Sequence, residues 1–267
     1  MTLDDPRSRD LAGRLGAVRH RIDAAVAAHS AARAGIADPT LIVVTKFHPG
    51  ADVLRLRALG VTDVGENRDQ EASAKAAEVA GALEAVEPGP PDPGAPALRW
   101  HFIGQLQSNK ARSVAAYAHS VHSIDRPSLV KALARAMAVQ QQEDGRADLE
   151  CYIQVDLSGA YPELSASAAS SGGRGGLPPS QLMETADLIA AAGGLDLAGI
   201  MAVAPLGVRP EPAFELLARL SATLVAGHPR AAGISAGMSH DLEAALAYGA
   251  THLRVGSDIL GPRPAVL

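Results

Sequence analysis

Two groups of residues in this 267-residue chain combine side chains and spacing suited to chemistry. The first is Lys46, which ends the apolar, largely β-branched run Leu41-Ile42-Val43-Val44-Thr45. Such a run reads as a strand buried on both faces, and a strand of that kind has no inexpensive place for an ammonium. Lys46 is therefore expected at the strand's C-terminal end, facing a pocket, where a lysine of lowered pKa can capture an aldehyde as a Schiff base. The plain alternative is that Lys46 is simply the first solvated residue after the strand.

The second group lies near the C-terminus. In Ser235-Ala236-Gly237-Met238-Ser239-His240-Asp241, small residues and a hydroxyl lead into a helix start, where free backbone N–H groups favour a phosphate. Gly256-Ser257 offers a second close backbone approach with another hydroxyl. Ser239 alone reads equally well as a helix cap and Gly256 as a turn residue. Together, at the ends of adjacent strands, they point to a phosphate. Arg254 stands between Leu253 and Val255 and must face the opposite side of its strand from both. It either points inward, where a guanidinium requires partners, or lies among outer helices with its head in solvent.

The elements that must position these residues alternate. An amphipathic helix with Leu11, Leu15, Val18, Ile22 and Val26 on one face, spanning about 8–32, precedes the Lys46 strand. Strand patterns then start at Leu41, Val61, Trp100, Ser120, Cys151, Leu197, Gly233 and His252, with helical patterns between them. Eight strands separated by helices predict an α/β fold, a single (β/α)8 barrel of the TIM type with an extra N-terminal helix. No GxGxxG turn follows the first strand, which argues against a dinucleotide-binding sheet. Two stretches break the pattern: a Pro-rich insert at about 81–98 and a Ser/Gly-rich loop at about 158–177.

Composition narrows the partners. With 47% hydrophobic residues the chain has ample material for one barrel domain spanning 1–267. A net charge of -5 lacks the cationic surplus that nucleic-acid binding leans on. The single cysteine, Cys151, excludes an internal disulfide, and no basic-then-apolar leader opens the sequence. No window reaches the length of a membrane span. A cytoplasmic protein without membrane or nucleic-acid partners is the expectation.

Six blocks, in order, carry a resemblance: VTKFHP around Lys46, GENRDQEASAK from Gly65, WHFIGQLQSNKAR from Trp100, VHSIDR from Val121, GIMAVAP from Gly199, and SAGMSHDLEAALAYGATHLRVGSDILG from Ser235. Together they resemble the pyridoxal phosphate homeostasis protein family, barrels similar to the cofactor-binding domain of bacterial alanine racemase. The resemblance implies pyridoxal 5'-phosphate (PLP) held as a Schiff base on Lys46, buffered or delivered rather than used in turnover. It implies Arg254 facing the pyridine nitrogen, Met238, Ser239, Gly256 and Ser257 contacting the phosphate with Gly237 providing the turn, and Asn67 near the ring. His101 is implied near the cofactor on the third strand, against the alternative of a hydrogen-bonded core histidine. Gln105, Ser108, Asn109 and Lys110 would form a polar rim. The implied partners are PLP and, transiently, apo forms of PLP enzymes; the family implies a monomer, although the first helix is available for pairing. Two other readings stay open: a PLP-dependent racemase, for which only Tyr161 could supply the second acid/base group, and a barrel binding some other phosphate.

Overall fold

The computed structural model describes residues 5–86, 97–161, 175–205 and 207–262. Residues 87–96 of the Pro-rich insert, and residues 162–174 of the Ser/Gly-rich loop with Arg174, lie outside this set.

Helix α1, Pro6–Ala28, starts at Asp5, whose carboxylate accepts from the N–H groups of Arg7 and Ser8, with Pro6 in the first turn where its missing N–H costs nothing. Its buried stripe of Leu11, Leu15, Val18 and Ile22 packs against the helices over Gly50–Ala58, Leu242–Ala247 and Ser257–Leu260. The barrel follows as β1 Thr40–Val44, α2 Gly50–Ala58, β2 Asp63–Glu66, α3 Asp69–Val86, β3 Arg99–Phe102, α4 Ala111–Tyr117, β4 Ser120–Ile124, α5 Pro127–Asp144 and β5 Leu149–Gln154. After Leu177 come α6 Leu182–Ala190, β6 Leu195–Met201, α7 Glu211–Gly227, β7 Gly233–Ser235, α8 Leu242–Ala247, β8 His252–Val255 and α9 Ser257–Leu260. The strands are parallel and close in chain order, with β1 paired to both β2 and β8. The eight-stranded barrel expected from the alternating pattern is therefore what the chain forms.

The two faces of each strand do different work. Val43, Val64, Trp100, Phe102, Val121, Leu253 and Val255 belong to the apolar core between strands and helices. The alternate positions point into the barrel: a side chain at Gly65 would meet Ile42 and Val44, and Arg254, opposite Ile42 in register, reaches Ser235. Polar residues at these inward positions are what the later chemistry depends on.

Several boundaries differ from the sequence reading, and three of the differences have a clear cause. The second strand starts at Asp63 rather than Val61, because Val61 is still held by the preceding helix, its N–H donating to Leu56 O. Helix α3 runs to Val86, six residues into the segment read as an insert, since Gly81-Ala82-Leu83-Glu84-Ala85-Val86 contains good helix formers and the first proline comes only at 88. A short helix, α9, follows Gly256 at once, where the sequence was read as ending in a strand and turn.

Candidate functional site

Lys46 stands at the C-terminal rim of the barrel. The β1 ladder continues one residue beyond the strand, with Thr45 N–H donating to Gly65 O at 3.0 Å. Lys46 is the next residue, in the turn that leaves β1, with its side chain exposed at the mouth. Its neighbours in sequence are fixed. Thr45 Oγ1 donates to Glu66 Oε1 at 2.7 Å, and Lys75 Nζ donates to both Glu66 Oε1 at 2.6 Å and Thr45 O at 2.9 Å. Phe47, on the other side, has φ +68°, the one positive φ at a non-glycine residue among the described residues. A bulky side chain there is strained, so the lysine sits between a clamped residue and a strained one.

The turns after β7 and β8 meet beside it. Ser239 Oγ and Ser257 Oγ lie 3.4 Å apart, although they are 18 residues apart in sequence. Gly237 turns the chain at φ +92°, and a Cβ there would come within 2.8 Å of Ala245 and Leu253. Met238 N–H donates to Asp241 Oδ1 at 2.6 Å, and burial raises the Asp241 pKa. Helix α1 braces both turns through Arg21, which donates to Ser239 O at 2.9 Å and pairs with Glu243 and Asp258. Gly256 abuts β1, since a Cβ there would sit 3.1 Å from Val44 O. The hydroxyl pair is thereby set next to the strand that carries Lys46.

Arg254 resolves the question left open by its strand: it points inward. Its side chain is 4% exposed, with Nη1 donating to Ser235 Oγ at 2.6 Å and Nη2 to Ala202 O at 2.9 Å. Burial lowers its pKa to about 10, opposed by Asp241. Among the described residues no carboxylate pairs with it. A buried cation whose acceptors are a hydroxyl and a carbonyl, with further N–H donors on its fork, suits a ligand that brings an acceptor of its own.

The chain as a whole is similar to known proteins. Residues 14–264 match the model of the family described as alanine racemase, N-terminal domain. A pyridoxal phosphate homeostasis protein of Mycobacterium tuberculosis is 40% identical over 258 residues, 96% of this chain and 94% of its own. One from Corynebacterium glutamicum is 39% identical, over 91% of this chain and 98% of its own. The chain belongs to the pyridoxal phosphate homeostasis proteins. Among solved structures, PipY of Synechococcus elongatus with PLP bound superposes with a TM-score of 0.70 at 29% identity, over 94% of this chain and 100% of PipY.

For this homeostasis protein the structure brings together Lys46, Gly237, Met238, Ser239, Arg254, Gly256 and Ser257 at one end of the barrel. Asn67 joins them at the end of β2, half-buried, with its Oδ1 finding no partner among the described residues. His101 is not brought to the mouth. It lies in the lower half of the barrel, 2% exposed, with Nε2 2.8 Å from Asp63 Oδ1 and Nδ1 2.6 Å from Ser120 Oγ. Both ring nitrogens are occupied, the arrangement of a hydrogen-bonded core histidine. Tyr161 is buried with its hydroxyl donating to Arg209 O at 2.6 Å, so that hydroxyl is engaged. The sequence reading gave no role to the Lys75–Glu66 pair that fixes the residue before Lys46, and took Ser235, which holds Arg254, only as the first residue of the phosphate turn. Their only signal there was a lysine and a glutamate nine residues apart around a helix start, and a serine alternating with apolar neighbours.

Proposed function

We propose that the protein binds PLP at the C-terminal mouth of the barrel, holds it on Lys46, and serves as a buffer or donor of the cofactor. The observation that carries this reading is the placement of a buried, carboxylate-free Arg254 and the facing hydroxyls of Ser239 and Ser257 on β8 and the turns after β7 and β8, next to the strand end that bears an exposed lysine. The donor set fits the group: Ser239, Ser257 and the turn at Gly237-Met238 would take the phosphate, Gly256 leaves room for it, Arg254 would donate to the pyridine nitrogen, and Asn67 would flank the ring. PLP supplies an aldehyde that a neutral amine captures as a Schiff base with loss of water.

The protein's own groups do the rest. The Lys75–Glu66–Thr45 clamp orients the Lys46 backbone. Arg254, which stays protonated at neutral pH, donates a hydrogen bond and keeps a proton off the ring nitrogen, which weakens the ring as an electron sink compared with a carboxylate partner. That favours holding the cofactor over turnover. Tyr161, the one tyrosine considered as a second acid/base group, is occupied by Arg209 O. We read the protein as a monomeric cytoplasmic carrier that passes PLP to apo-enzymes, not as a racemase.

A titration with PLP followed by desalting tests this. The wild type is expected to retain a visible absorbance band and Lys46→Ala to lose it; a band equally retained by the variant overturns the assignment. Incubation of the loaded protein with alanine in deuterated water is expected to leave the α-proton in place, and exchange at catalytic rates would favour the racemase instead.

A further inference from the structure

Inside the barrel, below the mouth, runs a chain of hydrogen bonds that the cofactor reading leaves unused. From Arg254 Nη1 it passes to Ser235 Oγ at 2.6 Å, from Ser235 Oγ to His122 Nδ1 at 2.8 Å, and from His122 Nε2 to Ser120 Oγ at 2.8 Å. It continues from Ser120 Oγ to His101 Nδ1 at 2.6 Å and from His101 Nε2 to Asp63 Oδ1 at 2.8 Å. Ser235 closes β7 at the mouth, whereas Asp63 opens β2 at the opposite end, so the chain descends the length of the barrel. At the far end Asp63 also receives Arg99 at 2.8 Å and the Thr62 hydroxyl at 2.6 Å.

With both rings neutral, the Asp63 end fixes the direction of every bond in the chain. A guanidinium only donates and a carboxylate only accepts. Ser235 therefore accepts from Arg254 and donates to His122 Nδ1, His122 donates from Nε2 to Ser120, Ser120 donates to His101 Nδ1, and His101 donates from Nε2 to Asp63. The cross-contact of His122 Nε2 with His101 Nδ1, 3.2 Å, is donor to acceptor in the same arrangement. The opposite pair of neutral tautomers would set a bare ring nitrogen against the Asp63 carboxylate, whereas an imidazolium at His101 would reverse the bonds above it, Ser120 donating to His122 Nε2 and Ser235 accepting from both Arg254 and His122 Nδ1. His101 faces Asp63, Arg99, His119 and His122; His122 faces His101, His119, His252, Arg254 and, stacked at 4.3 Å, Tyr152. Burial holds both rings neutral, outweighing the pull of Asp63 on His101.

We propose that His122 is a positioning residue for the cofactor ring: through Ser235 it fixes the Arg254 guanidinium, and Asp63, at the far end of the barrel, sets the polarity of the chain that does so. This rests on the reading of Arg254 as the group facing the pyridine nitrogen. A residue remote from the cofactor thereby controls how the ring is held.

The test uses His122→Phe, which keeps a ring against Tyr152 but removes both nitrogens, His122→Gln, which keeps one donor and one acceptor, and Asp63→Asn, which lets the chain run either way. Each is loaded with PLP and measured for PLP affinity, the midpoint of the pH titration of the cofactor's absorbance, and the thermal midpoint. His122→Phe and Asp63→Asn are expected to lose roughly tenfold in affinity and to move the spectral midpoint in the same direction by about half a pH unit, with His122→Gln between them and the wild type. A fall in thermal midpoint with affinity and spectral midpoint unchanged in Asp63→Asn and in whichever His122 variant folds overturns the inference alone. A wild type that takes up no PLP overturns the underlying reading and this one with it.

Discussion

Replacing Lys75 by methionine should be among the most damaging single changes near the mouth. Lys75 is 8% and Glu66 1% exposed, and their charged atoms are 2.6 Å apart. At an effective dielectric of about 20 their gross attraction is about 6 kcal/mol, most of which offsets the cost of desolvating both ions. Methionine fills the space of the lysine stem but leaves the Glu66 carboxylate buried with the Thr45 hydroxyl as its remaining donor, while Glu66 Oε2 already has none. Losing one member of a buried pair costs about 3–5 kcal/mol, on the order of 10 °C in thermal midpoint for a chain of this size. Denaturant melts of wild type, Lys75→Met, Glu66→Gln and the double variant give the coupling directly. The double variant is expected to be more stable than Lys75→Met alone, because the stranded charge is gone. A Lys75→Met variant within about 1 kcal/mol of wild type, or a double variant no better than it, would refute this picture of the pair.

Stability should depend on pH through the buried histidines. Burial lowers the pKa of His101 and His122, and that of His252 to about 4, against an ordinary 6.5. Between the depressed folded values and 6.5 the unfolded chain binds more protons, so this stability is complete above about pH 6.5 and is lost as pH falls toward 4; denaturant midpoints flat across pH 7 to 4.5 would contradict it. Gly237→Ala forces a Cβ to within 2.8 Å of Ala245 and Leu253 at φ +92° and is expected to cost about 1–3 kcal/mol by thermal melt, weakening PLP binding as well. Ser239→Ala and Ser257→Ala should each lower PLP affinity on the order of tenfold with little change in melting temperature. Inorganic phosphate should compete with PLP less effectively in both variants, and unchanged competition would move the phosphate elsewhere.

The barrel was legible because its strands are short β-branched runs separated by helical patterns, and parallel strands buried on both faces carry that signature. Its edges were harder to place: Val61 has strand-like neighbours but is held by a backbone bond to the helix before it. Lys46 could be singled out as a charge at the end of an apolar run, whereas the choice of inward or outward for Arg254 needed the register of β7 and β8 and the hydroxyl of Ser235. The interior relay was not legible. Asp63, His101, Ser120, His122 and Ser235 come from four strands, and alternation says only that each faces away from its neighbours, not that they meet. The β4–β5 and β5–β6 pairings also shift register, which no periodicity forecasts. His101 shows the cost: the resemblance implied a place near the cofactor, with a core histidine as the alternative, and its height in the barrel depends on its pairing with Gly65 and Ser120.

The claim on which the account turns is that the amine of Lys46 carries the cofactor. Borohydride reduction of the PLP-loaded protein, followed by proteolysis and mass spectrometry of the peptides, tests it most directly. One stoichiometric pyridoxyl-phosphate adduct is expected, on the peptide containing Thr45-Lys46-Phe47, and none at that peptide in Lys46→Ala. A principal adduct on Lys75, Lys110 or any other lysine, or no adduct on a protein that has taken up PLP, would contradict it.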